Sequence, residues 1–378
     1  MDIRFNFPHQ VGTELECIRD ALEQGVLAGD GPYTKNSSEW LEGYLGASKV
    51  LLTHSCTAAL EMAAILADIK PGDEVIMPSY TFVSTANAFV LRGGVPVFVD
   101  IREDTLNIDE ELIESAITSK TKAIVPVHYA GVSCEMDKIM DIAKRHNLIV
   151  IEDAAQALGS YYKGRSLGTI GDFGCFSFHE TKNIISGEGG AIVVNNETFI
   201  ERAEIIREKG TNRTRFFRGE VDKYTWVDIG SSFLPSELVA AFLYPQLQHI
   251  DQINDERMCI WNGYHDALKE VSFTHNVRRP VIPKDCVFNA HLYYLIVPEP
   301  ELQQKMLSDL KRSGINAVFH YVPLHSSEAG KKFCRLGSSM SVTDALSSKL
   351  VRLPIYPGLT DSQRSFIQST AKSIIQDF

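Results

Sequence analysis

The chain has 378 residues, of which 44% are hydrophobic and 22% are charged, and its formal net charge at pH 7 is −11. This length supports a large core or two domains without a disulfide or metal, and the composition disfavours disorder, collagen-like repeats and coiled coils. Because nucleic-acid backbones are bound by clustered Lys and Arg, the acidic balance argues against a nucleic-acid partner.

The beginning of the chain lacks the features of a secretory signal, because Asp2 is acidic and no continuous apolar segment follows it. The best candidate for a membrane span, residues 50–69, is interrupted by His54, Glu61 and Asp68. The seven cysteines form no CxxC pair and show no zinc-ligand spacing. We therefore predict a cytoplasmic protein with reduced thiols, no metal and no membrane partner.

Short strands rich in β-branched residues alternate with segments of helical periodicity from residue 50 onwards. The pattern predicts strands at 50–52, 74–77, 123–127, 148–153, 173–178 and 190–194, and helices at 55–69, 84–91, 136–145 and 197–208. Nearly continuous apolar strands that alternate with helices are typical of a mostly parallel sheet covered on both faces. We therefore predict an α/β fold that binds its ligands at the carboxyl ends of the strands.

The C-terminal third shows a different pattern. Apolar residues recur at helical spacing from 236 to 270, with Pro245 as the expected kink, and this segment is predicted to link two domains. Strand, helix and strand patterns follow at 292–297, 302–313 and 317–320. We predict a large domain at residues 1–250 and a small α+β domain at 251–378.

Three segments carry the candidate chemistry. Lys182 follows the strand at 173–178 and precedes the glycine-rich residues 187–190. Asp153 ends the strand at 148–153, and Ser55, Cys56 and Thr57 begin a helix whose free N–H groups can bind a phosphate. Each segment alone has a structural explanation: a surface lysine, an aspartate that caps a helix, and a capping turn.

Together, these segments supply what pyridoxal 5′-phosphate requires. The lysine forms a Schiff base with the cofactor, and the aspartate keeps the pyridine nitrogen protonated so that the ring can withdraw electrons. We therefore predict this cofactor, with Lys182 and Asp153 as the catalytic residues.

The chain also resembles a known family over nearly its whole length. Residues 71–76, 152–156, 176–179 with Lys182, and 321–325 are similar to segments of the DegT/DnrJ/StrS nucleotide-sugar aminotransferases. These enzymes have the aspartate aminotransferase (type I) fold, in which helices sandwich a mostly parallel sheet and a smaller α+β domain follows. The resemblance implies a homodimer with shared active sites.

The resemblance also implies roles for individual residues. Lys182 would bond to the cofactor, Asp153 would contact its pyridine nitrogen and Gln156 would lie near its ring hydroxyl. Phe82 would stack on the ring, although composition alone predicts a core residue. Ser232 stands where many relatives have an Asn that reaches the phosphate in the partner subunit. The residues expected at the phosphate within the chain are Ser55, Cys56, Thr57 and Ser177.

Weaker signals concern the substrate. Residues 25–32, with Gly31, resemble the sugar-side loop of the family. Arg213, Lys223 and Tyr224 belong to a positive, aromatic segment that could bind a diphosphate or simply be a solvated loop. His179 could contact substrate or only form the wall of the site. The remaining candidates, for which a structural role is the alternative, are His320, Tyr321 and His325.

The implied reaction has two halves. L-glutamate gives up its amino group to form 2-oxoglutarate, and a nucleotide-linked keto sugar then receives it, with Lys182 moving the proton in both halves as a neutral amine. The resemblance favours C4 of dTDP-4-dehydro-6-deoxyglucose. The sequence leaves open the galacto or gluco product, C3 or C4, and the nucleotide. Rival functions are sugar dehydration, in which relatives have His in place of the lysine, and a non-enzymatic cofactor-binding sensor or scaffold.

Overall fold

The computed structural model describes residues 2–378, which contain fifteen α-helices and thirteen strands. The helices are α1 (Glu14–Gln24), α2 (Pro32–Leu45), α3 (Cys56–Leu66), α4 (Val83–Val90), α5 (Glu110–Ala116), α6 (Met136–His146), α7 (Ile200–Arg207), α8 (Arg213–Phe217), α9 (Glu237–Gln248), α10 (Ile250–Ala267), α11 (Lys269–Thr274), α12 (Pro300–Arg312), α13 (Glu328–Phe333), α14 (Ser341–Ser347) and α15 (Asp361–Gln376). The strands are β1 (Val50–Thr53), β2 (Glu74–Pro78), β3 (Val95–Val99), β4 (Thr121–Ile124), β5 (Ile149–Asp153), β6 (Tyr161–Tyr162), β7 (Arg165–Ser166), β8 (Phe173–Ser177), β9 (Gly190–Val194), β10 (Cys286–Val287), β11 (Tyr293–Ile296), β12 (Arg335–Leu336) and β13 (Leu350–Leu353).

The main sheet has eight strands in the order β1-β9-β8-β5-β4-β2-β3-β12. Strand β9 is antiparallel to both of its neighbours, and the other adjacent strands run parallel. Successive side chains point to opposite faces: Leu52 and Ile76 belong to one hydrophobic cluster, whereas Leu51 and Val75 belong to another. The predicted mostly parallel sheet, covered on both faces, is confirmed.

The sheet topology brings the predicted site segments to one edge. Strands β1, β2, β5 and β8 run in the same direction, so their carboxyl ends lie on the same side of the sheet. Residues 55–57 follow β1, Phe82 follows β2, Asp153 ends β5 and Lys182 follows β8. These segments are separated by up to about 130 residues in sequence and meet because the strands are parallel.

A third hydrophobic cluster packs the C-terminal part of the chain, with Ile3 from the N-terminus. Helix α10 contributes Ile253 to the first cluster and Ile260 to the third, so it connects the two cores. Strand β12 nevertheless joins the edge of the main sheet beside β3. The domain boundary at residue 250 stays a prediction.

Several predicted elements differ in detail. The strand predicted at 317–320 is reduced to a single pairing of Val318 with Arg352, on the edge of β13 that does not pair with β11. The long helical segment is divided at His249 and Leu268, while Pro245 lies inside α9. The helix predicted at 197–208 begins as a short 3-10 helix before α7.

The longest apolar stretch forms β1 and α3. Within residues 2–378, every helix is too short or too polar to cross a membrane.

Candidate active site

A cavity of about 610 Å³ lies at the carboxyl edge of the main sheet. We call it the strand-end cavity. Eleven of the residues predicted from sequence line it: Ser55, Cys56, Thr57, Phe82, Asp153, Gln156, Ser177, His179, Lys182, His320 and Tyr321. The structure therefore brings the expected lysine, aspartate and helix N-terminus together.

Asp153 is almost fully buried at the end of β5. Its carboxylate accepts hydrogen bonds from the Thr85 hydroxyl at 2.7 Å and from the Ala155 N–H at 3.2 Å. Burial raises the pKa of Asp153, whereas these two donors and the nearby Lys182 oppose that shift. The element that follows β5 is the strand β6 and not a helix, which removes the alternative that Asp153 is a helix cap.

The Lys182 amine makes no hydrogen bond or ion pair with any residue that the structure describes. Burial lowers its pKa, which increases the fraction of neutral amine. The loop that carries it is held by the next residue: the Asn183 amide donates to Asn254 at 2.9 Å and to the Asn289 carbonyl at 2.8 Å. The structure thus fixes the backbone of the lysine and leaves its amine available.

The start of α3 provides a site for an anion. Ser55 caps the helix by accepting from the Ala58 N–H at 3.1 Å, while the first-turn N–H groups of Cys56 and Thr57 have no carbonyl partner in the described chain. The Thr57 and Ser84 hydroxyls lie 2.8 Å apart. Any side chain at Gly190 would collide with the Cys56 nitrogen, so β9 can pass beside this turn only as glycine.

The aromatic wall of the cavity includes two predicted residues. Phe82 is 59% exposed, so the interpretation as a core residue is wrong. Gln156 accepts from the Ala130 N–H at 2.7 Å and donates to the Tyr321 hydroxyl at 3.1 Å. Burial raises the pKa of Tyr321 to about 12, so it remains a neutral hydroxyl.

The residues present fit pyridoxal 5′-phosphate. The first turn of α3 and Ser177 can hold its phosphate, the exposed ring of Phe82 can stack on the pyridine, and the buried carboxylate of Asp153 can face its nitrogen. The unpaired amine of Lys182 is available for its carbonyl group. Chemically, this donor set suits a phosphorylated aromatic cation.

Six predicted residues do not line the strand-end cavity. Ser232, Lys223 and Tyr224 lie in exposed segments, and Gly31 packs against the carboxylate of Glu237. Arg213 lines a second cavity of about 680 Å³, which we call the arginine cavity after Arg207, Arg213 and Arg218 in its wall. The sixth residue is His325.

His325 has a structural environment. Its ring nitrogens lie 2.7 Å from the Ser79 hydroxyl and 3.1 Å from the Asp344 carboxylate. These contacts support the structural alternative over the substrate-binding role predicted for it.

Arginines of the positive segment at 213–223 form ion pairs, although the sequence suggests free cations. Arg213 lies 3.5 Å from Glu208, and Arg218 lies 2.9 Å from Glu204 and 2.7 Å from Glu220. The local excess of positive charge is therefore balanced by carboxylates from α7 and the loops beside it.

Several residues of the strand-end cavity were not predicted from the sequence. Thr85, His291 and Arg352 line it and come from α4, the segment before β11, and β13. Arg352 is a single charge inside the apolar run Leu350–Leu353, and this break in the pattern was the signal that could have identified it. Thr85 and His291 carry no comparable signal, because their roles depend on distant contacts.

The chain is similar to known proteins over nearly its whole length. The chain is 36% identical to the uncharacterized protein MJ1066 of Methanocaldococcus jannaschii, covering 96% of this chain and 95% of that relative. It is 32% identical to the spore coat polysaccharide biosynthesis protein SpsC of Bacillus subtilis, covering 96% and 94%.

Among solved structures, Spr1654 from Streptococcus pneumoniae in its PLP form is 27% identical, with a TM-score of 0.91 over 100% of this chain and 99% of that chain. This likeness confirms the predicted fold, and with the family match it confirms the predicted cofactor. Residues 8–370 match the family profile, and the chain belongs to the DegT/DnrJ/EryC1/StrS aminotransferase family.

Proposed function

We propose that this chain transfers an amino group from L-glutamate to C4 of dTDP-4-dehydro-6-deoxyglucose, giving dTDP-4-amino-4,6-dideoxygalactose and 2-oxoglutarate. The product would serve a cell-surface polysaccharide such as enterobacterial common antigen or an O-antigen. The observation that carries the proposal is that one cavity holds both the unpaired amine of the half-buried Lys182 and the buried carboxylate of Asp153. The sequence resemblance and the name of SpsC support a sugar substrate.

Bound pyridoxal 5′-phosphate withdraws electrons from the carbon that carries the amino group and so makes its hydrogen acidic. Lys182 can accept this proton only as a neutral amine, and the lowered pKa of this half-buried side chain favours that form. The same amine can return a proton to the sugar carbon in the second half-reaction. Lys182 would therefore serve as the proton carrier of both halves.

Asp153 has a different task. Its carboxylate must be ionised to hold a protonated pyridine nitrogen, yet burial raises its pKa. The hydrogen bonds from Thr85 and the Ala155 N–H stabilise the ionised form and orient it. Thr85 in turn lies 2.8 Å from the Thr81 hydroxyl, so two hydroxyls form a chain that ends on the carboxylate.

The proposal includes a homodimer with shared active sites. Phe217 lines the arginine cavity and is 69% exposed, and the segment that follows carries two further exposed aromatic side chains, Tyr224 at 51% and Trp226 at 81%. Such exposed apolar groups are typical of surfaces that contact another protein. In a shared site, the predicted residues Arg213, Lys223 and Ser232 would act on the cavity of the other subunit. A fully active monomer in light scattering would contradict this part.

One experiment tests the reaction. The purified holoenzyme is incubated with L-glutamate and dTDP-4-dehydro-6-deoxyglucose, 2-oxoglutarate is measured, and the sugar product is identified by NMR. We expect equal amounts of 2-oxoglutarate and the 4-amino galacto product. A gluco or 3-amino product would correct the specificity, and parallel reactions with UDP- and GDP-linked sugars would test the nucleotide.

The same experiment separates the rival functions. A dehydrated sugar formed without 2-oxoglutarate would indicate a dehydratase, against which the presence of Lys182 argues. Binding of the cofactor without turnover of any sugar would indicate a sensor or scaffold.

A further inference from the structure

Arg352 is a cation of the strand-end cavity that lacks an acidic partner. It lies on β13, and its guanidinium lines the cavity together with Lys182 and Asp153. Nη1 donates to Nε2 of His320 at 2.7 Å, and Nε is buried without a hydrogen-bond partner in the described chain. No carboxylate in residues 2–378 forms an ion pair with Arg352.

The surroundings of Arg352 do not neutralise its charge. The ring of Phe5 lies 4.7 Å from the guanidinium carbon, and the other neighbours are the His320 ring and tyrosine hydroxyls. The two acidic residues that line this cavity have other partners: Asp153 accepts hydrogen bonds from Thr85 and Ala155, and Glu188 lies 3.7 Å from His179. Because a half-buried guanidinium with a buried, unpartnered Nε and no acidic partner is costly, its presence here indicates that an anionic ligand completes the site.

His320 holds the guanidinium in place. Arginine can only donate, so Nε2 of His320 accepts, and Nδ1 of the neutral ring donates to the Tyr129 hydroxyl at 3.2 Å. Burial keeps the pKa of His320 far below its ordinary value, which maintains this acceptor. The remaining N–H groups of Nη1 and Nη2 form the fork that matches a carboxylate.

The reaction supplies one anion that must come close to Lys182. An amino-acid donor places its α-carbon at the lysine, and its carboxylate is bonded directly to that carbon. The cofactor phosphate has its own cradle at α3, and the diphosphate of a sugar nucleotide is attached at C1, across the sugar ring from C4. We propose that Arg352, positioned by His320, binds the carboxylate of the amino-acid donor; this proposal rests on the proposed aminotransferase function.

The test separates the two half-reactions in the holoenzyme. Arg352→Met removes the charge and keeps the length of the side chain. The visible absorbance of the lysine-bound cofactor is followed with L-glutamate in one experiment and with the amino-sugar product in another. We expect kcat/KM to fall at least about 100-fold with glutamate and less than about threefold with the amino sugar. Arg352→Lys should recover part of the loss.

A binding measurement gives a readout independent of turnover. Calorimetry with glutarate, a dicarboxylate without an amine, should show about 10- to 100-fold weaker binding to Arg352→Met than to the unmodified holoenzyme. Arg278→Met is the matched control, because Arg278 is outside the cavity and pairs with the exposed Glu103. This variant should leave both half-reactions and glutarate binding unchanged.

The outcomes are distinct. Equal losses in both half-reactions, or unchanged glutarate binding and glutamate reaction, would overturn the role of Arg352. If the unmodified enzyme reacts with neither glutamate nor amino sugars, the proposed function fails. In that case the glutarate measurement on Arg352→Met still decides whether Arg352 binds a carboxylate. Circular dichroism and cofactor content of Arg352→Met exclude a folding defect as the cause.

Discussion

The strand-end cavity and the arginine cavity are similar in size, but their charged side chains differ in whether they have partners. In the strand-end cavity the Lys182 amine has no partner in the described chain, and the Arg352 guanidinium forms its one hydrogen bond there with a neutral histidine. In the arginine cavity, Arg207 lies 2.6 Å from Asp30 and Arg218 lies 2.9 Å from Glu204. Because paired charges are already stabilised, we expect the unpaired charges of the strand-end cavity to handle ligands and protons.

The comparison predicts the largest effect for Lys182→Ala. Loss of the amine that bonds the cofactor and moves the proton should lower turnover at least about 10⁴-fold. The rate of 2-oxoglutarate formation measures this. Lys163→Ala is the control, since Lys163 is exposed and pairs with Asp137 outside both cavities. Full activity of Lys182→Ala would refute the proposed chemistry.

Charge reversal in the arginine cavity tests whether its cations also serve the substrate. We expect Arg213→Glu to raise the KM for the sugar nucleotide about tenfold, because a diphosphate would meet repulsion, while the KM for glutamate stays constant. Initial-rate kinetics with each substrate varied give both constants. Arg312→Glu, on the exposed surface of α12, is the control. An unchanged KM for the sugar would assign this cavity a purely structural role.

Thr85→Val tests whether the ionisation of Asp153 in the strand-end cavity limits the reaction. Without the hydroxyl donor, the ionised form of Asp153 loses stabilisation and its pKa rises further above the ordinary value. Because the reaction needs the ionised carboxylate, and this carboxylate is then protonated at higher pH, activity should be lost at a higher pH than in the unmodified enzyme. We expect the acid limb of the kcat/KM profile to move up by about one pH unit.

The matched control for this pH profile is Thr118→Val. Thr118 also donates to a carboxylate, that of Glu74 at 2.7 Å, but it lies outside both cavities. Its profile should coincide with that of the unmodified enzyme. If the profile of Thr85→Val coincided as well, the ionisation of Asp153 would not limit the reaction.

The smallest kinetic effect is expected at His325. The sequence predicts this residue at the substrate site, whereas in the structure it does not line the strand-end cavity. His325→Asn should leave both KM values within about twofold. Loss of the contacts to Ser79 and Asp344 should lower the free energy of unfolding by about 1–3 kcal/mol. Urea denaturation and initial rates measure the two effects, with the exposed His146→Asn as control. A large rise in either KM would instead support the substrate-binding role predicted for His325.

The parts of the site that sequence could predict are those with a local pattern. Asp153 ends an apolar strand, Lys182 follows another, and Ser55 precedes an apolar helix, so each is marked by its own neighbours. Arg352 and Thr85 reach the cavity from β13 and α4, and the identity of their partners depends on packing between elements far apart in sequence. The resemblance predicts Phe82 at the site and the structure places it in the wall of the strand-end cavity, whereas its hydrophobicity alone pointed to the core.

The same distinction holds for the charged residues. The net charge of −11 argued against nucleic acid but could not say which arginines are neutralised. By itself, the sequence determined the α/β alternation and the family, and it predicted the lysine and aspartate of the cofactor site, because periodicity and short motifs depend on neighbouring residues. Only the tertiary structure decided that Arg218 meets Glu204 while Arg352 meets no acid, because ion pairing depends on distances that the fold alone sets.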